Sequence, residues 1–151
     1  MKHVKKSVLV WYSPQEIYAL VTAVEDYPRF LPWCERVDVL QRDTQGLTAR
    51  LHLAYAGVHH AFTTRSVHAA DEAVHVGLVD GPFSLLDGSW LFLPLAVPFD
   101  AQAKACKIEF EMRYAFANRP LEALITPVFD RIANTFVDAF VRRAEQVYGA
   151  R

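Results

Sequence analysis

The last third of this chain restricts its fold more than any other part. Cys106, Ile108, Phe110, Met112 and Tyr114 alternate with Lys107, Glu109, Glu111 and Arg113. An apolar row and a charged row at a period of two predict a strand with one dry and one wet face. Asn118 then stands as a cap, with Pro120 in the first turn, for a helix predicted from about Arg119 to Tyr148. Its apolar stripe reads Leu121, Leu124, Ile125, Val128, Phe129, Ile132, Phe136, Phe140 and Val147, while Arg131, Asn134, Asp138, Arg142 and Glu145 mostly fall outside it. A strand with one dry face and a helix with one dry stripe can each bury the other. Pro127 lies inside the helix. An interior proline loses a hydrogen bond and clashes with the preceding turn, at a cost of about 3 kcal/mol, so a kink is expected. That kink either curves the helix around a ligand or follows the curvature of a sheet.

Upstream, Val4 to Trp11 reads as a first strand. Ser13-Pro14-Gln15-Glu16 marks a helix start, with serine as cap, proline at the first helical position and glutamate closing a capping box. Ile17, Leu20, Val21 and Val24 follow on one face. The segment Asp26-Tyr27-Pro28-Arg29-Phe30-Leu31-Pro32-Trp33-Cys34 sets two prolines among large apolar residues. Proline fixes its own φ and restrains its predecessor, so a stiff apolar corner is predicted here, of the kind that walls a pocket.

Alternation then takes over. Val37 and Val39 share a face. So do Leu47, Ala49, Leu51, Leu53 and Tyr55, then His60, Phe62 and Thr64 after a turn at Gly57, and Val74, Val76 and Leu78 after Asp71-Glu72. Asp80-Gly81-Pro82-Phe83 reads as a loop closed by Asp87-Gly88, and Trp90 and Phe92 continue on one face. The expected class is α+β: a curved antiparallel sheet of about seven strands wrapped around the long C-terminal helix, with two short helices after the first strand.

A length of 151 residues suits one domain, 1–151, with a sizeable core. Hydrophobic residues make up 52% and charged residues 22%, which fits a folded soluble protein. The net charge of −1 argues against a DNA-binding footprint. Lys2, His3, Lys5 and Lys6 read as a solvated edge-strand face, since lysine protects sheet edges. No secretory signal and no membrane-length apolar run is visible. With two cysteines, Cys34 and Cys106, this points to the cytoplasm and to free, packed thiols.

The chemistry available is sparse. His59 and His60 are adjacent on a strand and point to opposite faces. His52, His68 and His75 have no partner at metal-ligand spacing, so neither a metal nor a cofactor is expected. Glu109 and Glu111 alternate with basic residues as an ion-pair ladder, and no nucleophile elbow occurs. Catalysis is therefore not expected. Phe62, Trp90, Phe110, Tyr114, Phe129 and Phe136 exceed what a thin helix–sheet layer needs, and they are either core or the wall of an apolar pocket. Phe30, Trp33, Val76, Phe83, Met112, Val128 and Ile132 extend that wall. Tyr55, His60 and Tyr114 are placed to orient a polar head group.

Leu9-Val10-Trp11-Tyr12-Ser13-Pro14, Tyr27 to Cys34 and Val79-Asp80-Gly81-Pro82-Phe83 resemble the START-like polyketide cyclase/lipid transport superfamily. Gly88-Ser89-Trp90-Leu91-Phe92, Cys106-Lys107-Ile108-Glu109-Phe110 and Ala139-Phe140-Val141-Arg142-Arg143-Ala144 extend the match over nearly the whole chain. More narrowly the pattern is similar to the coenzyme Q-binding protein family, whose bacterial members include ribosome association toxins. The resemblance implies a helix-grip fold. It also implies non-catalytic binding of a hydrophobic ligand, ubiquinone or a related polyprenyl quinone or lipid, in support of respiratory electron transport. Its alternative is a toxin that binds the large ribosomal subunit and blocks subunit association. An aromatase/cyclase role rests on the superfamily name, without an acid–base constellation to support it.

Two departures stand out. Trp33 is larger than many relatives carry there and is expected to narrow a pocket mouth. Leu93-Pro94-Leu95-Ala96-Val97-Pro98-Phe99-Asp100 is longer and more apolar than the family's usual hairpin. Either Leu93 to Phe99 is exposed for transient contact with a membrane or partner, which would place the protein at the periphery of the inner membrane, or it folds over its own sheet.

Overall fold

The computed structural model describes residues 1–151. Seven strands form one antiparallel sheet: β1 Lys2–Val10, β2 Cys34–Arg42, β3 Gly46–Tyr55, β4 Val58–Ala69, β5 Ala73–Asp80, β6 Phe83–Pro94 and β7 Cys106–Phe116. Two α-helices, α1 Pro14–Thr22 and α2 Arg119–Tyr148, and a 3₁₀ segment at Val24–Arg29 complete the chain. The strand order is β1-β7-β6-β5-β4-β3-β2. Strands β2 to β7 are thus a continuous meander, and β1 joins its far end by pairing with β7. Helix α1 and the 3₁₀ segment carry the chain from one edge of the sheet to the other.

Local sequence dictates these joints. The Glu16 amide donates to Ser13 Oγ at 3.1 Å and the Ser13 amide donates to the Glu16 carboxylate at 2.9 Å, the reciprocal box that starts α1. The proline corner is the 3₁₀ segment together with Phe30 to Trp33. The Tyr27 hydroxyl donates to the Val21 carbonyl and folds the corner back onto α1. At the other end, Asn118 Oδ1 accepts from the Leu121 amide at 3.0 Å and opens α2.

Helix α2 lies on the dry face of the sheet. Its assignment is unbroken through Pro127, so the expected kink is not a break in the helix. Ile125, Val128, Phe129, Ile132 and Phe140 are buried as their spacing predicts. Ala133, Val137, Ala139 and Ala144 are buried with them, and these mostly small residues widen the stripe. Leu124 and Val147 are exposed instead of buried. At 100° per residue Leu124 falls on the flank of the stripe, and Val147 lies in the last turn.

Strand β6 corrects the sequence reading. Asp87-Gly88 does not close a loop; the strand runs through both, with Gly88 opposite Val76 of β5 and Met112 of β7. The glycine signal here reflects a missing side chain on the dry face and not a turn. The hairpin between β6 and β7 does not fold down over the sheet. Leu95 and Phe99 are exposed at its tip, and Leu93 and Leu9 lie on either side of Lys107 on the wet face.

Residues beyond α2 return to the start of α1. Arg151 donates from Nη1 and Nη2 to the two Glu16 carboxylate oxygens, at 2.7 and 2.9 Å, and its guanidinium lies 4.9 Å from the Tyr12 ring centroid. The Tyr148 hydroxyl donates to the Glu16 carbonyl at 2.9 Å. The Arg151 hydrogen bonds hold the Glu16 carboxyl down at about 2, against the upward push of burial, with help from the Ser13 amide and Lys104. A carboxyl whose folded value lies below its unfolded one stabilises the fold above the unfolded value, near 4.5, and loses that contribution as pH falls through the folded value. Arg151→Ala is therefore expected to lower the thermal midpoint by a few degrees at pH 7. The gap to the parent protein should close progressively in melts between about pH 4.5 and about pH 2.

Candidate functional site

A cavity of about 110 Å³ remains between the dry face of the sheet and α2, closed at one side by α1 and the corner. Of its 21 lining residues 17 are hydrophobic, so whatever it holds is bound mainly by apolar contact. The structure brings Trp33, Phe62, Val76, Trp90, Phe110 and Met112 together around this space, with Phe129, Ile132 and Phe136 contributed by α2. The Trp90 ring centroid is 4.7 Å from Phe110 and 5.7 Å from Phe136. Trp33 stacks on Phe62 at 6.5 Å and is only 6% exposed, which makes it an inner wall and not a mouth.

Six residues expected at the site stand elsewhere. Phe30 packs on Phe140 at 5.1 Å, beneath the Arg143 guanidinium at 5.2 Å. Phe83 stacks on Phe116 at 5.1 Å in a second aromatic group under the first half of α2. The Tyr114 hydroxyl donates to Asp130, which also pairs with Lys2 at 3.2 Å, so its polar end is already committed to the helix. Tyr55 and His60 lie half-buried near the β3–β4 turn, outside the lining. Val128 is buried on α2 but does not reach the cavity.

What the expected set omits is the polar part of the wall. Thr64, Ser66 and His68 line the cavity from β4, on the same side of the strand as Phe62. The Ser66 hydroxyl donates to the Leu47 carbonyl at 3.4 Å, and His68 Nε2 lies 3.0 Å from Ser66 Oγ. Burial, then the nearby charges of Arg65 and Arg42, depress the His68 pKa, so the ring is neutral at physiological pH. Carrying the period of two onward from Phe62 and Thr64 finds all three. Nothing here is poised as a nucleophile: burial pushes the Cys34 thiol up to about 12 and the Cys106 thiol up to about 11. The arrangement can hold a small apolar body and offer it a few neutral hydrogen bonds.

An antiparallel sheet curled over one long helix, with an apolar cavity between them, defines the helix-grip or START-like class. Residues 10–141 match the polyketide cyclase / dehydrase and lipid transport family, and the chain belongs to it. It is 37% identical over 151 residues to the ribosome association toxin RatA of Escherichia coli (strain K12), covering all of this chain and 92% of that protein. It is 26% identical to a mitochondrial coenzyme Q-binding protein of Drosophila melanogaster, over 95% of this chain and 59% of that one. Its fold superimposes on an aromatase/cyclase from Streptomyces sp. R1128 with a TM-score of 0.80 at 16% identity, covering 99% of each chain.

Gly88 offers a direct test of the cavity. A Cβ there would meet only the Glu111 carbonyl oxygen at 3.7 Å and Met112 Cγ at 3.9 Å, both ordinary contacts. Gly88→Val is expected to fold with an unchanged or higher thermal midpoint, because it fills space and relieves a flexible strand position. It should weaken binding of a small apolar fluorescent probe by about tenfold or more, as measured by titration.

Proposed function

We propose that this protein acts by binding and not by catalysis, and that its target is the ribosome, in the manner of a ribosome association toxin. The observation that carries this reading is the likeness to such a toxin along all of this chain and 92% of that protein. The likeness to the coenzyme Q-binding relative covers little more than half of that protein. The exposed surface supplies contacts of both kinds such a target needs. Arg142 is exposed on α2 next to Arg143, and lysines line β1 at the sheet edge. The β6–β7 tip presents Leu95 and Phe99. The large subunit is the proposed site, with subunit association blocked as a consequence.

Co-sedimentation with large ribosomal subunits tests this. Association is expected at about 50 mM salt and should fall steeply by about 200 mM, as phosphate contacts require. Arg142→Glu should weaken it further without changing the thermal midpoint. Failure to sediment with either subunit at any salt would remove the reading.

The cavity supports a second reading, binding of a quinone or related lipid. About 110 Å³ is below the roughly 300–1,000 Å³ of sites that enclose a whole ligand, and nearer the engineered cavities of about 150 Å³ that take benzene. A ring or short alkyl group fits the resting space; a prenyl chain enters only if α2 or the corner moves outward. Organic extraction of the protein from its native host, followed by mass spectrometry, should release a prenyl quinone at near-stoichiometric amount. An extract free of quinone and lipid, with no uptake of added quinone, rejects this second reading alone.

A further inference from the structure

The cavity adjoins a second hollow of quite different character. A water-open groove of about 540 Å³ runs between α1 and the turns that end β2 and β4. Tyr18 and Thr22 of α1, Arg42 at the end of β2, Asp43 of the β2–β3 turn and Asp71 of the β4–β5 turn border it. Two residues belong to both spaces, Leu47 and His68. They are the partition between an apolar interior and a polar vestibule. The His68 ring stands edge-on to Tyr18 with centroids 6.1 Å apart, so the partition consists of side chains on separate elements and not of backbone.

The polar file of β4 leads inward from this partition. His68, Ser66 and Thr64 follow one another along the dry side of the strand, and the remaining cavity wall adds only the Tyr27 hydroxyl, which is bonded to Val21, and the indole N–H groups of Trp33 and Trp90, which can donate but not accept. The cations at the groove are already matched: Arg42 pairs with Glu25, and Arg65 with Asp43 at 3.0 Å. No free cation waits there for an anionic head. Asp71 lies on the outer lip, across the partition from Ser66 and Thr64.

We infer that the cavity takes an amphipathic small molecule with a compact apolar body and one neutral oxygen-bearing head, a hydroxyl or carbonyl, which enters from the α1 groove past His68 and Tyr18 and comes to rest with its head on the Thr64–Ser66–His68 file. The inference depends on the cavity holding a ligand, as in the second reading above, and adds the route, the orientation and the head chemistry. The apolar body points away from the groove, toward Trp90, Phe110 and Phe136. The Thr64 hydroxyl and the neutral imidazole can each donate or accept, and Ser66 Oγ, whose proton is directed at the Leu47 carbonyl, can accept, so the file matches either head.

The experiment compares isosteric probes with the full chain by NMR titration. p-Cresol is expected to bind about five- to tenfold more tightly than toluene, the discrimination one or two neutral hydrogen bonds supply. The charged analogues 4-methylbenzoate and 4-methylbenzylammonium should bind more weakly than p-cresol. Ser66→Ala and Thr64→Val, both nearly isosteric, should erase the preference while toluene affinity persists, which separates a lost hydrogen bond from a lost fold. Ala19→Trp, on the exposed α1 side of the groove, should slow association about tenfold with little change in affinity. Equal affinity for p-cresol and toluene, or preference for a charged analogue, overturns the head assignment and leaves the apolar cavity standing. An unchanged association rate in Ala19→Trp overturns the route. If neither toluene nor p-cresol binds, the ligand cavity and this inference fall together.

Discussion

The ring of Phe140 is where the three parts of this fold meet. It is fully buried, and its centroid lies 5.4 Å from Tyr27 and 5.1 Å from Phe30 of the corner, 5.1 Å from Trp90 of β6 and 5.1 Å from Phe136 one turn earlier on α2. All four pairs are edge-to-face, the arrangement that the ring quadrupole favours by about 0.5–1.5 kcal/mol per pair beyond area burial. Without this junction the helix would still have an apolar stripe and the sheet a dry face, but only Trp33, on Phe62 and Phe136, would hold the corner against both. The corner's prolines restrict the backbone, and Phe140 gives that restricted backbone a surface to press on.

The same junction sets the size of the cavity. Rings packed 5–6 Å apart leave little unfilled volume, and about 110 Å³ is what remains where the aromatic layer thins between Trp33, Trp90 and Phe136. Grip and capacity therefore oppose each other. A ligand within the residual volume leaves every ring contact in place. A larger one must separate Phe136 or Trp33 from the sheet and give up those contacts, in exchange for its own buried area at about 25 cal/mol per Å². That exchange favours a long apolar chain only if the displaced element settles in a second packed position.

Much of this was legible in the residues. The capping box of α1, the Asn118 cap, the wet and dry rows of β7 and the span of α2 follow from local chemistry that tertiary packing does not override. The errors share a cause. Asp87-Gly88 has turn composition, yet Gly88 is a strand residue whose missing side chain leaves the cavity open. Tyr114 has the size and polarity of a head-group ligand, yet Asp130, on a helix one crossover away, takes its hydroxyl. Phe30 and Phe83 are aromatic and near in sequence to wall residues, but they pack against wall rings, Phe30 on Tyr27 and Phe83 on Phe62 and Phe129, without lining the space themselves. Period and composition locate a face; which of its residues surround the remaining space depends on how long-range partners share them.

The β4 file shows the reverse case, in which polarity on a dry face carries information that residue type alone does not. A buried hydroxyl without a partner costs about 1–3 kcal/mol, so a strand that only needed to pack against α2 would carry valine or alanine at these positions. Ser66 meets part of that cost through the Leu47 carbonyl, at a long 3.4 Å, and through His68. The register shift opposite Thr63 and Thr64 sets the extra residue, Val79, on β5, so β4 keeps its alternation: Thr64 lies on the dry row, and Thr63, buried on the other row, accepts from Arg50 Nε at 3.3 Å. Neighbouring strands solve the same packing problem with Leu47, Ala49 and Leu51 on β3 and with Val74 and Val76 on β5. Apart from the Tyr27 hydroxyl and the two indole N–H groups, the polar side chains of the wall are thus on one strand, they start at the partition with open water, and they end inside the cavity. A packing requirement alone explains none of those three facts, whereas a path for a molecule with one polar end accounts for all of them.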